Sequence, residues 1–559
     1  MSSGTGTSTG STEDKVRLRK ARRPDLKGPP VVIKQRERER SRDMADYILS
    51  VDQGTTSTKA FLLDKKGELI PSKSQPIRQY YPEPGFVEHD AEEIFTSVLK
   101  CMADLLIEHP LAAGNIDSIA ITNQRETTIA FEKESGRPLY HAIVWQCRRT
   151  TDICRREVLK GHESYITAKT GLKLDPYFSA TKMRWILENV PGTEKAALSG
   201  ELLFGTVDAF LVYRLTGGKS FATDYSNCSR TMLFDITELK YDKGLLDLFA
   251  IPKNCLAEPL PSCSDFGEIS LDKDELIRSG FTREEADALT ALNGVHIRGV
   301  AGDQAAALFG QNCFNEGDTK TTYGTGCFTL MNIGEKPVIS NNGLLTSAAW
   351  SIDGKTTYAL EGSVFQGGSV ISWLKDEMRL IDKPSDCDDV CNSLEDNGGV
   401  YLVPAFTGLG APYWDPDMRG VITGLTRGSG RNHIVRAGVE SIAYQVTELV
   451  DLMMSDTGIV STHMKVDGGV CASEFLMQLQ ADLLGVTITR ARSDEMTAMG
   501  VGLLSGLATG FFTSLEEIKG LYYSSKTYSP LRSSKQARAL LAEYKKAVRA
   551  SQAQAADER

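Results

Sequence analysis

The chain has 559 residues, of which 41% are hydrophobic and 24% are charged, a composition typical of folded globular proteins. Its 63 basic and 73 acidic residues give a formal net charge of −10, whereas nucleic-acid-binding proteins usually show a basic excess. These figures exclude a collagen-like chain, a mostly disordered chain and a small disulfide-rich domain, and they predict no nucleic-acid partner.

Residues 1–46 are predicted to be a disordered basic tail. Residues 1–43 hold 12 Lys or Arg and 6 Asp or Glu, a net charge of +6, and they contain few residues that could build a core. A flexible end is also predicted for residues 549–559.

Ordered structure is predicted from Tyr47 onward. Short apolar runs at 47–51 and 59–63 flank a Gly/Thr turn, a pattern that predicts a β-hairpin. Another strand is predicted at 116–122, and helical patterns follow at 182–188 and 205–215.

The alternation of strands and helices restarts near residue 300. A strand is predicted to end at 300–303, and a second one at 319–323 runs into a Gly/Thr turn. Two successive runs of this kind predict the α/β class, with an N-terminal domain at 47–298 and a C-terminal domain at 299–548.

Residues 497–515 carry no charge and approach the length of a membrane span. Nine of these 19 residues are Gly, Ser or Thr, whereas a spanning segment would be richer in large apolar side chains. The prediction is therefore a buried helix over 496–510 and no membrane span.

Eleven cysteines are scattered along the chain without a Cys-x-x-Cys pair, so we expect reduced thiols and no structural zinc site. The chain shows no secretory signal and no peroxisomal Ser-Lys-Leu end, and a cytoplasmic location is therefore the expectation.

Three turns that follow predicted strands carry glycine and hydroxyl residues. They are Asp-Gln-Gly-Thr-Thr-Ser-Thr-Lys at 52–59, Thr-Thr-Tyr-Gly-Thr-Gly at 321–326 and Val-Asp-Gly-Gly at 466–469. Backbone N–H groups and hydroxyls that converge on one point bind anions, and a carboxylate beside them suits Mg²⁺ on a polyphosphate. The first turn alone could be a polar hairpin turn, but three turns in two halves predict a site for nucleotide phosphates.

These turns resemble those of the actin-like ATPase superfamily. Within it, the strings at 177–189 and 424–445 are similar to the two signatures of the carbohydrate kinases named for a Phe-Gly-Gly-Tyr pattern. A closer resemblance, to the glycerol kinases of that family, runs from about Tyr47 to about Val548. It is carried by the strings at 123–128, 145–149, 175–178, 301–304, 323–328 and 404–414.

The resemblance implies two ribonuclease-H-like domains, of the actin-like ATPase type, around an interdomain cleft. It implies transfer of the γ-phosphate of ATP to glycerol with Mg²⁺, giving sn-glycerol 3-phosphate and ADP. It also implies a homodimer or a higher homo-oligomer. The N-terminal domain would bind glycerol and phosphate, and the C-terminal domain would bind the nucleotide.

The resemblance also implies roles for individual residues. Asp303 would be the general base, and Asp52 would hold Mg²⁺. The residues implied for glycerol are Arg125, Glu126, Trp145, Tyr177, Asp303, Gln304 and Phe328. The residues implied for the nucleotide are Thr55, Thr56, Ser57, Lys59, Thr325, Gly368, Ser372, Gly469 and Ser473. Arginine supplies a rigid set of donors and carboxylates accept, as recognition of several hydroxyls requires.

Three positions depart from the pattern of the bacterial members. Ser372, Ser473 and Lys59 stand where a Gln, an Asn and an Arg are common, which leaves nucleotide affinity and base selectivity open. Other readings also stay open: a kinase for another polyol or a ketose, an actin- or chaperone-like ATP-binding module, and an inactive regulator. The small pocket implied by Trp145 and Phe328 favours a small polyol, and the presence of both Asp52 and Asp303 argues against loss of activity.

Overall fold

The computed structural model describes residues 46–557 except 113, 411, 412, 414, 416, 417, 522 and 523. The predicted basic tail, apart from Asp46, lies outside the described residues, and so do residues 558 and 559 of the predicted flexible end.

Strands are spread along the whole of the described chain. In chain order they are β1 (Tyr47–Gln53), β2 (Ser57–Asp64), β3 (Leu69–Pro71), β4 (Gln75–Pro76), β5 (Glu88–His89), β6 (Ile116–Asn123), β7 (Ile129–Glu132), β8 (Ala142–Ile143), β9 (Leu202–Gly205), β10 (Ala222–Asp224), β11 (Phe234–Asp235), β12 (Lys240–Tyr241), β13 (Glu258–Leu260), β14 (Ile297–Gly302), β15 (Thr319–Tyr323), β16 (Cys327–Asn332), β17 (Leu345–Ile352), β18 (Lys355–Val364), β19 (Tyr401–Val403), β20 (Val421–Thr423), β21 (His463–Asp467), β22 (Thr487–Ala491) and β23 (Ser524–Tyr528).

Helices alternate with these strands. In chain order they are α1 (Ala91–Glu108), α2 (Thr151–Cys154), α3 (Glu157–Lys160), α4 (Glu163–Thr170), α5 (Ser179–Asn189), α6 (Thr193–Ser199), α7 (Val207–Leu215), α8 (Tyr225–Cys228), α9 (Lys243–Phe249), α10 (Lys273–Arg278), α11 (Arg283–Thr290), α12 (Asp303–Gly310), α13 (Gly368–Asp376), α14 (Asp386–Asn392), α15 (Arg431–Thr457), α16 (Glu474–Leu484), α17 (Met496–Thr509), α18 (Leu515–Gly520) and α19 (Ser534–Asp557), with short 3₁₀ helices at Lys253–Cys255 and Gly469–Ala472.

The first large sheet has the strand order β14-β6-β1-β2-β3, and β4 also pairs with β2. Strand β1 is antiparallel to β2 and parallel to β6, which in turn is parallel to β14. The predicted hairpin and the predicted strand at 116–122 are confirmed as β1–β2 and β6. The central strands β1 and β6 are almost entirely buried, and this burial explains why their sequences are continuous apolar runs.

The second large sheet repeats the order of the first. Its strands run β17-β18-β16-β15-β21-β22-β23, where β16 is antiparallel to both β15 and β18, and β21 is parallel to both β15 and β22. Without its edge strands β17 and β23, the sheet has the connectivity of β3-β2-β1-β6-β14. The predicted α/β class and the predicted duplication are therefore confirmed.

Helices α12 and α17 pack between the two sheets with their backbones in close contact. A Cβ atom on Gly500 would overlap the carbonyl oxygen of Ala306, and one on Gly310 would overlap that of Met496. The predicted buried helix is thus confirmed as α17, and its small residues permit this approach. None of the helices in the described part of the chain is long and apolar enough to cross a membrane.

One apolar cluster around these two helices joins the sheets. Its buried members include Ile48 and Ala120 from the first sheet, Trp350 and Ala359 from the second, and Phe309, Val501 and Leu504 from the helices. The two sheets therefore share core packing.

The structure bears on two predicted boundaries, the one between the domains and the start of the flexible C-terminus. The boundary between residues 298 and 299 falls inside β14, which belongs to the first sheet, and the two domain ranges stay a prediction. The predicted flexible end from residue 549 is helical as far as Asp557, because α19 continues through an Ala- and Gln-rich stretch of good helix formers.

Candidate active site

Three functional candidates lie at the carboxyl ends of neighbouring parallel strands. Asp52 is near the end of β1, Arg125 follows β6, and Asp303 follows β14 as the first residue of α12. Since β1, β6 and β14 are adjacent and parallel, these ends meet at one edge of the first sheet. The sheet thus brings together residues that are up to 251 positions apart (303 − 52).

A buried network of two arginines and two glutamates underlies this edge. The Arg125 guanidinium donates two hydrogen bonds to Glu361, at 2.7 and 3.0 Å, and its Nε lies 3.1 Å from the Asp303 carboxylate. The fully buried Arg230 donates from Nε to Glu126 at 2.5 Å, and its Nη2 lies 3.4 Å from Glu361. The network orients Arg125, Glu126 and Asp303 relative to one another.

Opposite charge keeps Glu361 ionised in spite of its burial. Burial alone would raise the pKa of Glu361, but Arg125 and Arg230 outweigh it and lower this pKa to about 2. For Glu126, burial dominates over the same two arginines and raises the pKa. Removal of either arginine would leave a buried carboxylate without its compensating charge.

The backbone of Glu126 adopts a conformation that is unusual for a residue with a side chain, with φ at 60°. Its carbonyl oxygen accepts hydrogen bonds from the Ser179 and Thr128 hydroxyls, both at 3.1 Å, and its side chain is held by Arg230. Strained backbone of this kind persists where the surroundings over-determine it, as at binding sites.

Two aromatic side chains form a wall beside this network. The rings of Trp145 and Tyr177 meet edge to face at 5.6 Å, and the Trp145 indole N–H donates to the Thr55 hydroxyl at 3.0 Å. Burial raises the pKa of Tyr177, so that its phenol stays protonated. The buried Lys182 donates to the carbonyl oxygens of Pro176 and Phe178 and so fixes the segment that carries Tyr177.

Asp303 and Gln304 form the start of α12. The Asp303 side chain is 34% exposed, and its Oδ1 accepts from the Gln304 backbone N–H at 2.6 Å. The Gln304 Oε1 accepts from the Lys320 ammonium at 2.6 Å. Phe328, the remaining residue predicted for glycerol, is half-buried on β16, opposite Thr322 in the β15–β16 hairpin.

The hairpin turn between β1 and β2 carries the predicted phosphate residues Thr55, Thr56 and Ser57, and Lys59 follows on β2. Lys59 forms an ion pair at 2.6 Å with Glu495, which precedes α17. The turn is therefore joined to the C-terminal part of the chain by this ion pair.

Several carboxylates lie close to Asp52. Burial, Asp303 and Glu495 together outweigh Lys59 and raise the pKa of Asp52 to about 7. Such a convergence of negative groups fits a bound cation. No group of three or more metal-ligating side chains was found in the described part of the chain.

The β15–β16 turn occupies the corresponding place in the second sheet. Gly368 at the start of α13 donates its N–H to the Gly324 carbonyl at 2.8 Å, and a Cβ on Gly368 would lie 2.8 Å from that oxygen. Thr325 is exposed at this turn, and Gly469 is exposed after β21. These glycines leave backbone uncovered where the resemblance implied a nucleotide.

The two serines that depart from the bacterial pattern differ in their surroundings. Ser372 is exposed on α13. Ser473 caps α16 by accepting from the Leu476 N–H at 3.2 Å, and its hydroxyl donates to Asp388. The Ser473 hydroxyl is thus engaged within the protein.

Sequence reasoning missed four charged residues of this site: Arg230, Lys320, Glu361 and Glu495. The signal for two of them is a lone charge inside a strand. Glu361 interrupts a buried run on β18, and Lys320 is fully buried on β15. A buried charge of this kind needs a partner, and partners of opposite charge cluster at functional sites.

The chain was compared with known proteins. The family model for the N-terminal domain of the FGGY family of carbohydrate kinases matches residues 47–310, and the model for the C-terminal domain matches residues 319–509. The chain is 49% identical over 504 residues to a glycerol kinase of Oceanobacillus iheyensis, covering 90% of this chain and 98% of that protein. It is 49% identical over 505 residues to one of Caldanaerobacter subterraneus, with the same coverage.

A solved structure agrees with these sequences. The crystal structure of Plasmodium falciparum glycerol kinase with ADP superposes with a TM-score of 0.84 at 35% identity, covering 91% of this chain and 98% of that one. The two family models together match most of the chain, and the three relatives are covered almost completely, so the chain belongs to the FGGY family of carbohydrate kinases.

Proposed function

We propose that the chain transfers the γ-phosphate of ATP to glycerol, giving sn-glycerol 3-phosphate and ADP. The observation that carries this proposal is the set of converging groups at the strand ends. Arg125 holds Asp303 beside Glu126, and Trp145 and Tyr177 wall the same space, next to the Gly/Thr turn. The glycerol kinases of three organisms, similar over nearly their whole length, support the choice of glycerol.

Glycerol recognition needs donors and acceptors on one side and apolar surface on the other. Arg125, Glu126, Tyr177 and Gln304 supply the polar contacts in this proposal. Trp145 and Phe328 cover the hydrocarbon side. In this proposal the two aromatic rings leave room for a small acceptor only, which would favour a three-carbon polyol over a hexose.

Asp303 acts as the general base in this mechanism. Its half-exposed carboxylate accepts the proton of the attacking hydroxyl while Arg125 fixes its orientation. A positioned base contributes roughly 10²- to 10⁴-fold to the rate. Most of the remaining acceleration in phosphoryl transfer comes from alignment and charge neutralisation.

In this proposal the nucleotide phosphates lie between the two Gly/Thr turns. Thr55, Thr56, Ser57, Lys59 and Thr325 would contact phosphate oxygens. Gly368, Ser372, Gly469 and Ser473 would line the nucleoside side. Asp52 would hold Mg²⁺, in part through water, and the metal would offset the negative charge of the phosphates. Lys59 would exchange its contact with Glu495 for a phosphate oxygen.

The proposal also covers the roles of the two domains, the oligomeric state and the location of the protein. In this proposal residues 47–298 bind glycerol and the phosphates, and residues 299–548 bind the nucleotide and add Asp303, Gln304 and Phe328 to the glycerol site. By analogy with the family, the chain forms a homodimer or a higher homo-oligomer and works in the cytoplasm.

The test is ADP release by the full chain with Mg·ATP, comparing glycerol, dihydroxyacetone, xylulose, gluconate and no acceptor. We expect a strong preference for glycerol, with ³¹P NMR showing glycerol phosphorylated at a terminal hydroxyl. A preference for xylulose or gluconate would replace glycerol by a larger acceptor. ADP release that does not depend on an acceptor would refute a kinase and favour an ATPase module.

A further inference from the structure

Lys320 is a buried lysine beside the site, and the mechanism above gives it no role. It lies on β15 and its side chain has no exposure to solvent. Its ammonium donates to the Gln304 Oε1 at 2.6 Å and to the Thr322 hydroxyl at 2.9 Å.

A lysine is costly to bury, so its retention here needs a reason. Burial lowers the pKa of Lys320, and Arg125 adds to this effect, while the neighbouring Asp467, Asp303 and Glu361 favour the charged form. The residue therefore sits among carboxylates, yet its closest contacts are an amide and a hydroxyl.

The contact with Gln304 decides which end of the amide faces Lys320 and which end points away from it. The two ends of a glutamine side chain have nearly the same shape, and their assignment follows from the hydrogen-bond partners. An ammonium can only donate, so the end beside Lys320 must be the oxygen. The Gln304 Nε2 is then the opposite end, and it makes no hydrogen bond to any residue that the structure describes.

The neighbouring residue presents the complementary group. Asp303 carries a carboxylate that accepts protons, and Gln304 beside it carries an amide that donates. Two adjacent residues at the start of α12 thus present one acceptor and one donor, and a hydroxyl group can use both.

We propose that Lys320 is a positioning residue that fixes the Gln304 side chain with Nε2 toward the acceptor, so that Gln304 contacts a glycerol oxygen as a donor only. This inference rests on the proposed function, because it takes glycerol to be the acceptor. Lys320 itself contacts neither substrate and acts through Gln304.

The test is a double-mutant cycle on the full chain with K320M, Q304A and the combined variant. Methionine keeps the length of the side chain but cannot donate, so the amide is free to rotate. We expect the KM for glycerol to rise about 5- to 10-fold in K320M, the loss typical of one hydrogen bond, with the KM for ATP changed less than twofold. Because Lys320 acts through Gln304, K320M should add nothing further to Q304A.

A general structural role would give a different result. If K320M and Q304A multiply in the combined variant, or if K320M raises both KM values alike, the inference is overturned. The matched control is K465M. Lys465 lies beside Lys320 in the register of β21, but its ammonium donates to the Asn312 carbonyl at 2.8 Å. We expect K465M to leave the KM for glycerol unchanged.

A second variant decides the matter should K320M fail to fold. Q304E keeps Lys320 paired, since a carboxylate accepts from an ammonium, but it has no donor for the substrate. We expect a folded protein whose KM for glycerol rises as in Q304A, whereas a KM like that of the wild type would refute donation by Gln304. If the wild type itself releases no ADP with glycerol, the proposed function fails. If the wild type is active but the variants behave differently from these expectations, only the inference about Lys320 and Gln304 fails.

Discussion

Replacing Asp303 by asparagine tests the base assignment most directly. An asparagine can still accept from the Arg125 Nε, which lies 3.1 Å from the present carboxylate, and from the Gln304 N–H at 2.6 Å. It cannot take up a proton. The substitution should therefore keep the geometry of the site and remove only its basic function.

The expected size of the effect follows from that difference. Loss of a positioned base lowers kcat by roughly 10²- to 10⁴-fold, which corresponds to about 3 to 5 kcal/mol in the activation free energy. The side chain is 34% exposed, so its ion pair with Arg125 is partly screened by water. Glycerol binding and thermal stability should change little.

The assay combines coupled ADP release with calorimetric titration of glycerol. Asp353→Asn is the matched control, because it makes the same chemical change at an exposed residue of the β17–β18 turn. Turnover of Asp303→Asn within threefold of the wild type would refute the role of Asp303 as the base. Equal losses of turnover and glycerol affinity would instead point to a binding role.

Three further predictions concern buried groups. Burial and Asp224 raise the pKa of Asp208 from 3.8 to about 7, so the folded state favours the protonated form and stability falls as the pH rises through this range. Asp208→Asn should therefore gain melting temperature relative to the wild type between pH 5 and pH 8, and a constant difference would contradict this pKa. Gly500→Ala should cost about 1 to 3 kcal/mol or more in urea unfolding, because its Cβ would overlap the backbone of the facing helix. Gly520→Ala, which meets nothing within 4 Å, is its control. Arg230→Lys should unfold at lower temperature, since one ammonium cannot reproduce the separate contacts that the guanidinium makes to Glu126, Ser347 and Glu361, and an unchanged melting curve would show that these contacts are dispensable.

Local patterns were enough to predict the elements that carry the turns. The apolar runs around Gly54 predict β1 and β2 because a hairpin needs only neighbouring residues. The repeated turn after Tyr323 likewise predicts a second sheet of the same kind. The uncharged stretch at 497–515 predicts the buried helix α17, because it has too many small residues for a membrane span and no charge that needs solvent.

Contacts between distant residues could not be predicted in this way. Arg125 and Glu361 are 236 residues apart, and their contact depends on the register in which β18 pairs with β16. Side chains alternate between the two faces of β15, and the sequence does not show which face of this strand carries Lys320 toward the site. The predicted domain boundary between residues 298 and 299 falls within β14, because the pairing of this strand with β6 in the first sheet is a contact between distant residues that local patterns do not show.

The place of α17 near the end of the sequence has a consequence for how the chain is made. Ser505 of this helix bonds Ser118 of β6 at 2.9 Å across 387 residues, and the helix also covers Ile48 and Ala120. A ribosome-bound chain that stops before α17 therefore leaves this apolar face of the first sheet open to water. The N-terminal half completes its core only when about nine-tenths of the protein has been synthesised, and until then its exposed apolar surface makes it prone to aggregation.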